Sequence, residues 1–255
     1  MRLEKIFGVI DSMLNNIEEV KNKIVDFIRA YFIKNGKDCN AIIGISGGKD
    51  SAVVAALCVE ALGADRVIGI QMPCGKQSDI EYSNKIINIL GIKKECINIE
   101  PFVSLLDKTI PLNDAAKISA KARTRMITLY AYAQTHNGRV VGTENKSEHL
   151  LGYFTRFGDA ASDVEPIRDL FVSEVKQIGY CLGLPQDIIE KEPSDGLTGQ
   201  TDEEALGFTY DEAEKFFTDY TALPDDKWLQ IQRHFDANNW KLREVSYPSI
   251  HKHLD

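Results

Sequence analysis

The stretch that decides the fold is residues 41–51, Ala-Ile-Ile-Gly-Ile-Ser-Gly-Gly-Lys-Asp-Ser. Its first five residues form an apolar, β-branched run, which is typical of a parallel strand buried on both faces. The Ser-Gly-Gly that follows predicts a turn, because two glycines let a backbone approach an anion closely. The apolar residues after Ser51 predict a helix, whose first amide groups have no partner within the helix. A strand, a glycine turn and a helix start in this order indicate a phosphate-binding loop.

This loop differs from the Walker loop, which ends in Lys-Ser or Lys-Thr. Here Asp50 follows the glycines, and Ser46 and Ser51 place a hydroxyl group on either side of them. An acid beside a phosphate site makes chemical sense together with a cation. A Gly-Gly turn with only a structural role is the alternative that this stretch alone leaves open.

Strands alternate with helices in the rest of the chain. The predicted strands are 41–45, 66–72, 95–99 and 139–142, and the predicted helices are 16–33, about 78–90 with Ser78 or Asp79 as its cap, 113–136, 172–182 and about 225–238. This alternation predicts an α/β fold with a Rossmann-like parallel sheet flanked by helices. We expect one domain over residues 1–255, with a helical part from about 201. Ligands of such sheets bind at the carboxyl ends of the strands, where the Ser46 turn, the Met72 turn and Thr143 would lie.

Composition excludes several classes of protein. The formal net charge is −8 and the sequence pI is near 5.3, which argues against a nucleic-acid partner. Acidic residues are scattered through the first 20 positions, so we expect neither a signal peptide nor a membrane span there. The expected location is the cytoplasm. The five cysteines form no Cys-x-x-Cys pair, and Cys58 and Cys96 lie in apolar runs that predict core positions.

Charged residues near the predicted sheet edge suggest anion and metal binding. Glu148 follows the fourth strand at the same edge as Asp50, so the two carboxylates could share a magnesium ion with substrate phosphates. Arg123 and Arg125 are two apart on the long helix and must point differently. One could bind a phosphate while the other serves structure, although a solvated charged face is an equally good interpretation of this stretch alone.

Two stretches lack periodicity and are predicted to be loops. Gly152 to Pro166 is long enough to act as a lid, and Pro193 to Gln200 is a second glycine-containing loop. Long loops of this kind are usually functional.

Six motifs, taken in order, resemble those of ammonia-dependent NAD synthetase, a family of the N-type ATP pyrophosphatases. They are Ser-Gly-Gly-Lys-Asp-Ser, Lys-Ala-Arg-Thr-Arg-Met, Gly-Thr-Glu-Asn-Lys-Ser-Glu, Gly-Tyr-Phe-Thr-Arg-Phe-Gly-Asp, Pro-Ser-Asp-Gly-Leu and Gly-Gln-Thr-Asp-Glu-Glu-Ala-Leu-Gly. The similarity spans about residues 20–245. It implies the adenine nucleotide alpha hydrolase type of fold, and a homodimer to which the helix at 113–136 could supply an interface.

The resemblance also implies a reaction. The family adenylates the nicotinate carboxylate of deamido-NAD with ATP as co-substrate, releases pyrophosphate, and lets ammonia displace AMP. Magnesium ions and backbone amides neutralise the charge that develops on pyrophosphate in such a reaction. No covalent nucleophile is required.

Site residues carried over from the family fall into three groups. ATP would contact Ser46, Gly47, Gly48, Lys49, Asp50, Ser51, Thr143 and Ser194. Magnesium would bind Asp50 and Glu148, which are also the predicted catalytic residues. Deamido-NAD would contact Arg123, Arg156, Asp163, Trp240 and Lys241.

The chain departs from the family pattern at two positions. Val172 stands where many members carry a lysine that contacts ATP, and Trp240 with Lys241 replaces a His-Lys pair. Lys176 lies one helical turn beyond Val172 and could reach back to the place of the missing ammonium group. An ordinary surface charge is the equally good alternative for Lys176.

Two other functions are compatible with the loop. One is another N-type ATP pyrophosphatase, such as a sulfur-transfer or tRNA-modifying enzyme, but these use cysteines or basic extensions that this sequence does not show. The other is a non-catalytic nucleotide-binding relative, which only the departures at Val172 and Trp240 suggest.

Overall fold

A four-stranded parallel sheet organises the described part of the chain, which is residues 16–75, 80–192 and 201–243 of this computed structural model. The strands are β1 Asn40–Gly44, β2 Val67–Gln71, β3 Lys93–Cys96 and β4 Gly138–Val140. They lie in the order β3-β2-β1-β4. The α/β fold predicted from the alternating pattern is confirmed. The cap predicted at Ser78 or Asp79, the second loop and Ser194 lie outside the described residues.

The helices cover both faces of the sheet and extend beyond it. Their bounds are α1 Ile17–Asn35, α2 Lys49–Leu62, α3 Ile80–Leu90, α4 Glu100–Thr109, α5 Asp114–Thr135, α6 Lys146–Leu151, α7 Val172–Cys181, α8 Gln186–Ile189, α9 Asp202–Leu206, α10 Tyr210–Thr218 and α11 Asp225–Asn238. No helix within these described ranges has both the length and the apolar character needed to cross a bilayer.

Strand β1 lies at the centre and separates two apolar layers. Ile42 pairs with Ile68 of β2 on one side and with Val140 of β4 on the other. Its side chain packs in a cluster with α5, whereas Ile43, on the opposite face, packs in the cluster that contains α1, α2 and α7. Both isoleucines are fully buried. The apolar run of the sequence is therefore a strand that is covered on both faces, as predicted.

A third apolar cluster joins the C-terminal helices to the sheet domain. Residues of α6, α7, α10 and α11 meet there, including Leu151, Val172, Tyr210 and Ile231. Because α6 follows β4, this cluster begins beside the carboxyl edge of the sheet. The C-terminal helices are thereby placed next to the predicted phosphate loop.

Strand β3 differs from its predicted position. It was predicted over 95–99 but runs from Lys93 to Cys96. As an edge strand it pairs only with β2 and leaves most of its side chains exposed, so it lacks the apolar alternation of a covered strand. Ile97 and Ile99 supplied the misleading apolar signal.

The prediction for Cys96 is wrong because this residue ends the exposed edge strand, whereas Cys58 is buried in α2 as predicted. Burial raises the pKa of the Cys58 thiol to about 12.

Helices α4 and α8 were not predicted. The apolar residues of α4 are largely exposed, so this helix adds little to the core, and α8 has a single turn, which is too short for a periodic pattern.

The packing around Gly69 of β2 leaves no room for a larger side chain. A Cβ atom at this position of β2 would lie 2.9 Å from Ile45 Cγ1 and 3.1 Å from Ile92 Cδ1. We therefore expect Gly69→Ala to lower the free energy of unfolding by about 1–3 kcal/mol, the usual cost of overpacking, in urea denaturation. Ile92→Val removes the Cδ1 atom and should cost less in the Gly69→Ala background than in the wild type. Equal costs in both backgrounds would show that Ile92 is not the obstacle.

Candidate active site

The glycine turn between β1 and α2 is closed by two serine hydroxyls. Gly47 has φ +90°, a left-handed conformation that glycine adopts without strain. Ser46 Oγ accepts a hydrogen bond from Gly48 N at 3.2 Å and lies 3.2 Å from Ser51 Oγ. Ser51 Oγ donates to Gly48 O at 3.0 Å. These contacts fix the start of α2, whose first amide groups face an incoming anion.

Asn145 brings the two predicted metal ligands together. Its side-chain Nδ2 donates to Asp50 Oδ1 at 3.1 Å. Its backbone N donates to Glu148 Oε2 at 3.1 Å, and its Oδ1 accepts from Glu148 N at 3.0 Å. Asn145 is fully buried and is the N-cap of α6. The motif containing Asn145 was recognised but the residue was given no role, although Asn-x-x-Glu before a helix is the signal of a capping box.

Lys49 is buried beside Asp50 rather than exposed to solvent. Its Nζ is 2.9 Å from Asp50 Oδ2 and 6.0 Å from the ring centroid of Tyr210, and its side chain is 2% exposed. The Tyr210 hydroxyl donates to Asp202 Oδ2 at 3.2 Å, and both residues are buried. The C-terminal helices α9 and α10 therefore cover the lysine of the phosphate loop. Asp202 belongs to the last of the six family-like motifs and is the first residue of α9, but neither Asp202 nor Tyr210 was predicted to lie beside the phosphate loop.

Lys49, Asp50, Glu148 and Asp202 form a largely buried cluster that contains more acidic than basic side chains. Burial, together with the carboxylates of Asp50 and Asp202, raises the pKa of Glu148 well above its ordinary range, and Lys49 offsets this only in part. Burial alone would lower the pKa of Lys49, but Asp50, Glu148 and Asp202 outweigh it and raise that pKa. Burial also raises the pKa of Tyr210 well above its ordinary range. When all four groups are ionised, these three carboxylates of the described chain outweigh the one ammonium group by two charges, which a divalent cation would balance.

The donor set fits magnesium. Within the described residues, no three side chains of His, Cys, Asp or Glu converge so as to hold a metal by themselves. Mg²⁺ is commonly bound by one or two carboxylates, with substrate phosphates and water completing its shell. Asp50 and Glu148, beside a loop suited to phosphate, meet that requirement.

A second group of predicted residues lies around the segment that follows α6. Arg123 of α5 donates from Nη2 to Arg156 O at 3.2 Å, and Arg156 donates from Nη2 to Arg243 O at 2.8 Å. The Arg156 guanidinium carbon is 5.8 Å from the Trp240 ring centroid. Arg125 points elsewhere and donates to Met72 O at 3.3 Å. The prediction that the two arginines of α5 point differently is confirmed.

Lys241 joins the same group from the C-terminal side. Its Nζ donates to Gly152 O at 2.7 Å and to Phe154 O at 3.2 Å. Burial lowers the pKa of Lys241, which Asp159 offsets in part. Four of the five residues predicted to contact deamido-NAD thus lie around residues 152–156.

Asp163, the fifth, has other contacts. Val140 N donates to its Oδ2 at 2.8 Å and the Tyr130 hydroxyl donates to its Oδ1 at 3.2 Å. Burial and the neighbouring Asp163 carboxylate raise the pKa of Tyr130 to about 12. Asp163 therefore lies beside β4 and α5, and its predicted contact with the substrate stays a prediction.

The position of the missing lysine is apolar. Val172 is buried in the C-terminal cluster, and its amide donates to Ser147 Oγ at 3.2 Å. Lys176 forms an ion pair with Glu190, with Nζ 2.6 Å from Oε2. Thr143 follows β4 at the carboxyl edge and is partly buried. The roles of Lys49, Lys176 and Thr143 in ATP binding stay predictions.

Comparison with known proteins identifies similar sequences along nearly the whole chain. The family model described as NAD synthase matches residues 20–246. An NH(3)-dependent NAD(+) synthetase of Methanococcoides burtonii is 46% identical over 207 residues, which cover 78% of each chain.

Two solved structures share the fold. The NMN synthetase of Francisella tularensis has a TM-score of 0.85 at 33% identity and covers 92% of this chain and 99% of its own. An NH3-dependent NAD synthetase of Campylobacter jejuni has a TM-score of 0.75 at 28% identity and covers 91% and 98%. The Rossmann-like sheet with flanking helices is therefore a fold that this chain shares with synthetases of both names.

Glu148 should make the metal-free protein less stable as the pH rises. A carboxyl group with a raised folded pKa binds more protons in the native than in the unfolded state between its ordinary pKa, 4.5, and the folded value. The free energy of unfolding therefore falls with increasing pH across that window. We expect Glu148→Gln to remove the part of this slope that Glu148 contributes, while glutamine can still accept from Asn145 N and so preserve the capping box. Urea denaturation in the presence of EDTA at a series of pH values measures how the free energy of unfolding changes with pH.

Glu204→Gln is the matched control for that experiment. Glu204 accepts from Thr201 N at 2.9 Å in the capping box of α9, so the variant loses the same charge from an equivalent helix position. It should keep the pH dependence of the wild type. Parallel curves for the wild type and Glu148→Gln would contradict the prediction.

Proposed function

The chain belongs to the NAD synthase family, and we propose that it converts deamido-NAD to NAD with ammonia and ATP. It is an enzyme of the ligase class that forms a C–N bond. The observation that carries the proposal is the pairing of Asp50 with Glu148, through Asn145, beside the glycine turn. A sulfur-transfer or tRNA-modifying role, or a non-catalytic one, has no comparable support.

The chemistry requires activation of a carboxylate. A carboxylate oxygen of deamido-NAD attacks the α-phosphorus of ATP, the bond to the β-phosphate oxygen breaks, and pyrophosphate leaves. Ammonia then attacks the carbonyl carbon of the mixed anhydride, AMP leaves with the bonding electrons, and one proton is released. Both steps depend on holding two anionic nucleotides in register, and orientation of this kind can contribute roughly 7–11 kcal/mol.

The ATP phosphates would lie at the glycine turn. Ser46, Gly47, Gly48 and Ser51 would hold them through hydroxyl and amide groups at the start of α2. Asp50 and Glu148 would bind Mg²⁺, which neutralises the charge that develops on pyrophosphate. We keep Thr143, Lys176 and Ser194 as further proposed ATP contacts.

Deamido-NAD would lie over the segment that starts at Gly152. Arg123, Arg156 and Lys241 would bind its phosphates by charge-assisted hydrogen bonds. The exposed ring of Trp240 would stack on a base or a ribose. Residues 152–166 would act as a lid that keeps water from the adenylate.

A second candidate acceptor is the mononucleotide. The Francisella tularensis structure, which has the higher TM-score of the two, is named for NMN rather than NAD. Nicotinate mononucleotide carries the same carboxylate, so the same adenylation would apply. The two candidates differ only in how much of the nucleotide is bound.

One assay separates these functions. We expect the purified protein with ATP, Mg²⁺ and ammonium to release pyrophosphate and form amide with a higher kcat/KM for deamido-NAD than for nicotinate mononucleotide. Glutamine in ammonia-free buffer should not replace ammonium. Asp50→Asn should lower turnover on the order of 10²- to 10³-fold, whereas the surface variant Asp187→Asn should not. A preference for the mononucleotide would favour the second candidate, and no pyrophosphate release with either would refute both.

We also propose a cytoplasmic homodimer. ATP is available in the cytoplasm, and all five cysteines are unpaired, as expected in a reducing compartment. The proposed interface is the apolar face of α4 and α5. Helix α4 packs against α5, and the large side chains of Phe102, Leu105, Ile110 and Ile127 are exposed there. A cluster of exposed apolar side chains is typical of a protein interface.

Size-exclusion chromatography with light scattering tests the dimer. Leu105→Glu should shift the protein toward the monomer, because a charge would be buried without a partner. Ile33→Glu, on an exposed apolar residue of α1, is the control and should leave the mass unchanged. A monomeric wild type would show that the interface is wrong.

A further inference from the structure

Lys49 and three acids form a buried charge cluster with an unequal balance. Lys49 and Asp202 are 2% and 6% exposed, and Lys49 forms its ion pair with Asp50. Glu148 lies beside Asp50, because Asn145 donates a hydrogen bond to each of the two carboxylates. The cluster carries two more negative than positive charges when all four groups are ionised. An isolated buried charge is strongly unfavourable, so this lysine stabilises the acids around it.

The ammonium group of Lys49 also uses an oxygen atom that a metal would need. Asp50 Oδ2 accepts from Lys49 Nζ at 2.9 Å, while Asp50 Oδ1 accepts from Asn145 at 3.1 Å. Both oxygens of this carboxylate therefore have a donor. A metal ion at Asp50 must share an oxygen with one of them, and of the two donors only Lys49 also repels the ion by its charge.

We infer that Lys49 is an internal counterion that sets the affinity of the magnesium site, an inference that rests on the proposed function. It neutralises one of three carboxylates and competes for Asp50 Oδ2. The protein is thereby stable before the metal arrives, and it binds the metal more weakly than the three acids alone would. Weak binding suits a metal that arrives and leaves with the nucleotide phosphates.

The surroundings of Lys49 keep its charge in place. The Lys49 Nζ lies 6.0 Å from the centroid of the Tyr210 ring, and the Tyr210 hydroxyl donates a hydrogen bond to Asp202. Lys49 is also the first residue of α2, so its backbone is held by the helix. Tyr210 belongs to the C-terminal cluster with Phe208 and Val172. Release of the lysine into solvent would therefore require displacement of part of that core.

Binding of Mn²⁺, a hard cation with similar ligand preferences, tests the inference without catalysis. The electron paramagnetic resonance signal of free Mn²⁺ is followed during titration of the full chain at constant ionic strength, without nucleotide. We expect Lys49→Gln to bind Mn²⁺ about tenfold more tightly than the wild type, because a close charge of like sign is removed. Lys49→Arg, which keeps the charge, should resemble the wild type. The control Lys85→Gln removes a surface lysine paired with Asp187 and should have no effect.

A double variant keeps the test decisive if Lys49→Gln does not fold. Asp202→Asn alone should weaken Mn²⁺ binding, and Lys49→Gln with Asp202→Asn restores the net charge of the cluster and should bind Mn²⁺ close to the wild type. Unchanged or weaker binding by Lys49→Gln, or a double variant no tighter than Asp202→Asn alone, would overturn the inference. If Lys49 instead holds an ATP phosphate, Lys49→Gln raises the KM for ATP and leaves Mn²⁺ binding unchanged.

The outcome is separable from that of the proposed function. If no protein in the series binds Mn²⁺, with or without ATP, the metal site and this inference both fail. Amide formation from deamido-NAD is measured independently, so the enzymatic proposal would stand or fall on its own assay.

Discussion

Asn145 donates a hydrogen bond to both predicted metal ligands of the candidate active site, to Asp50 from its buried side chain and to Glu148 from its backbone amide. It starts α6 and, across 95 residues of sequence, donates to Asp50 at the start of α2. Aspartate caps a helix as well as asparagine does. At this position, however, aspartate would lack the N–H group that Asp50 accepts and would place another negative charge against it. The requirement for asparagine therefore comes from the site rather than from the helix.

Burial of charge links this site to the C-terminal helices. The phosphate loop carries a lysine whose ammonium group would be costly to bury alone. The fold meets that cost with Asp50 on the same helix and with Tyr210 and Asp202 from elements more than 150 residues later. Tyr210 contributes its ring to the C-terminal core and its hydroxyl to the charged cluster. Packing of the helices from Thr201 onward is thus also the means by which the loop is covered.

Sequence reasoning succeeded where the signal is local. Strand β1, helix α5 and helix α11 have apolar patterns that reflect their own burial, and their bounds were predicted within two residues. Asp50 and Glu148 were paired because parallel strands end at the same edge. Strand β3 was misplaced because most of its side chains are exposed, whereas the apolar Ile97 and Ile99 lie just beyond its end.

The contacts that sequence reasoning missed are long-range. Asp202 and Tyr210 lie close to Lys49 because of the packing of α9 and α10. The sequence around Lys49 contains no pattern that indicates this packing. Asn145 was missed for a related reason. Its capping box is visible in the sequence, but its bond to Asp50 depends on β4 lying beside β1.

The contacts around residues 152–156, which belong to the proposed lid, offer a way for the substrate to change the fold locally. Lys241 and Arg156 currently donate to backbone carbonyl groups, those of Gly152, Phe154 and Arg243. Phosphate oxygens are stronger acceptors for these cations than carbonyl oxygens, because they carry negative charge and can accept from an arginine in a bidentate geometry. A dinucleotide that draws these side chains to its phosphates would also release the carbonyl groups of residues 152–154. Binding of the substrate and rearrangement of this segment are then one event, which is how a lid can close only when its substrate is present.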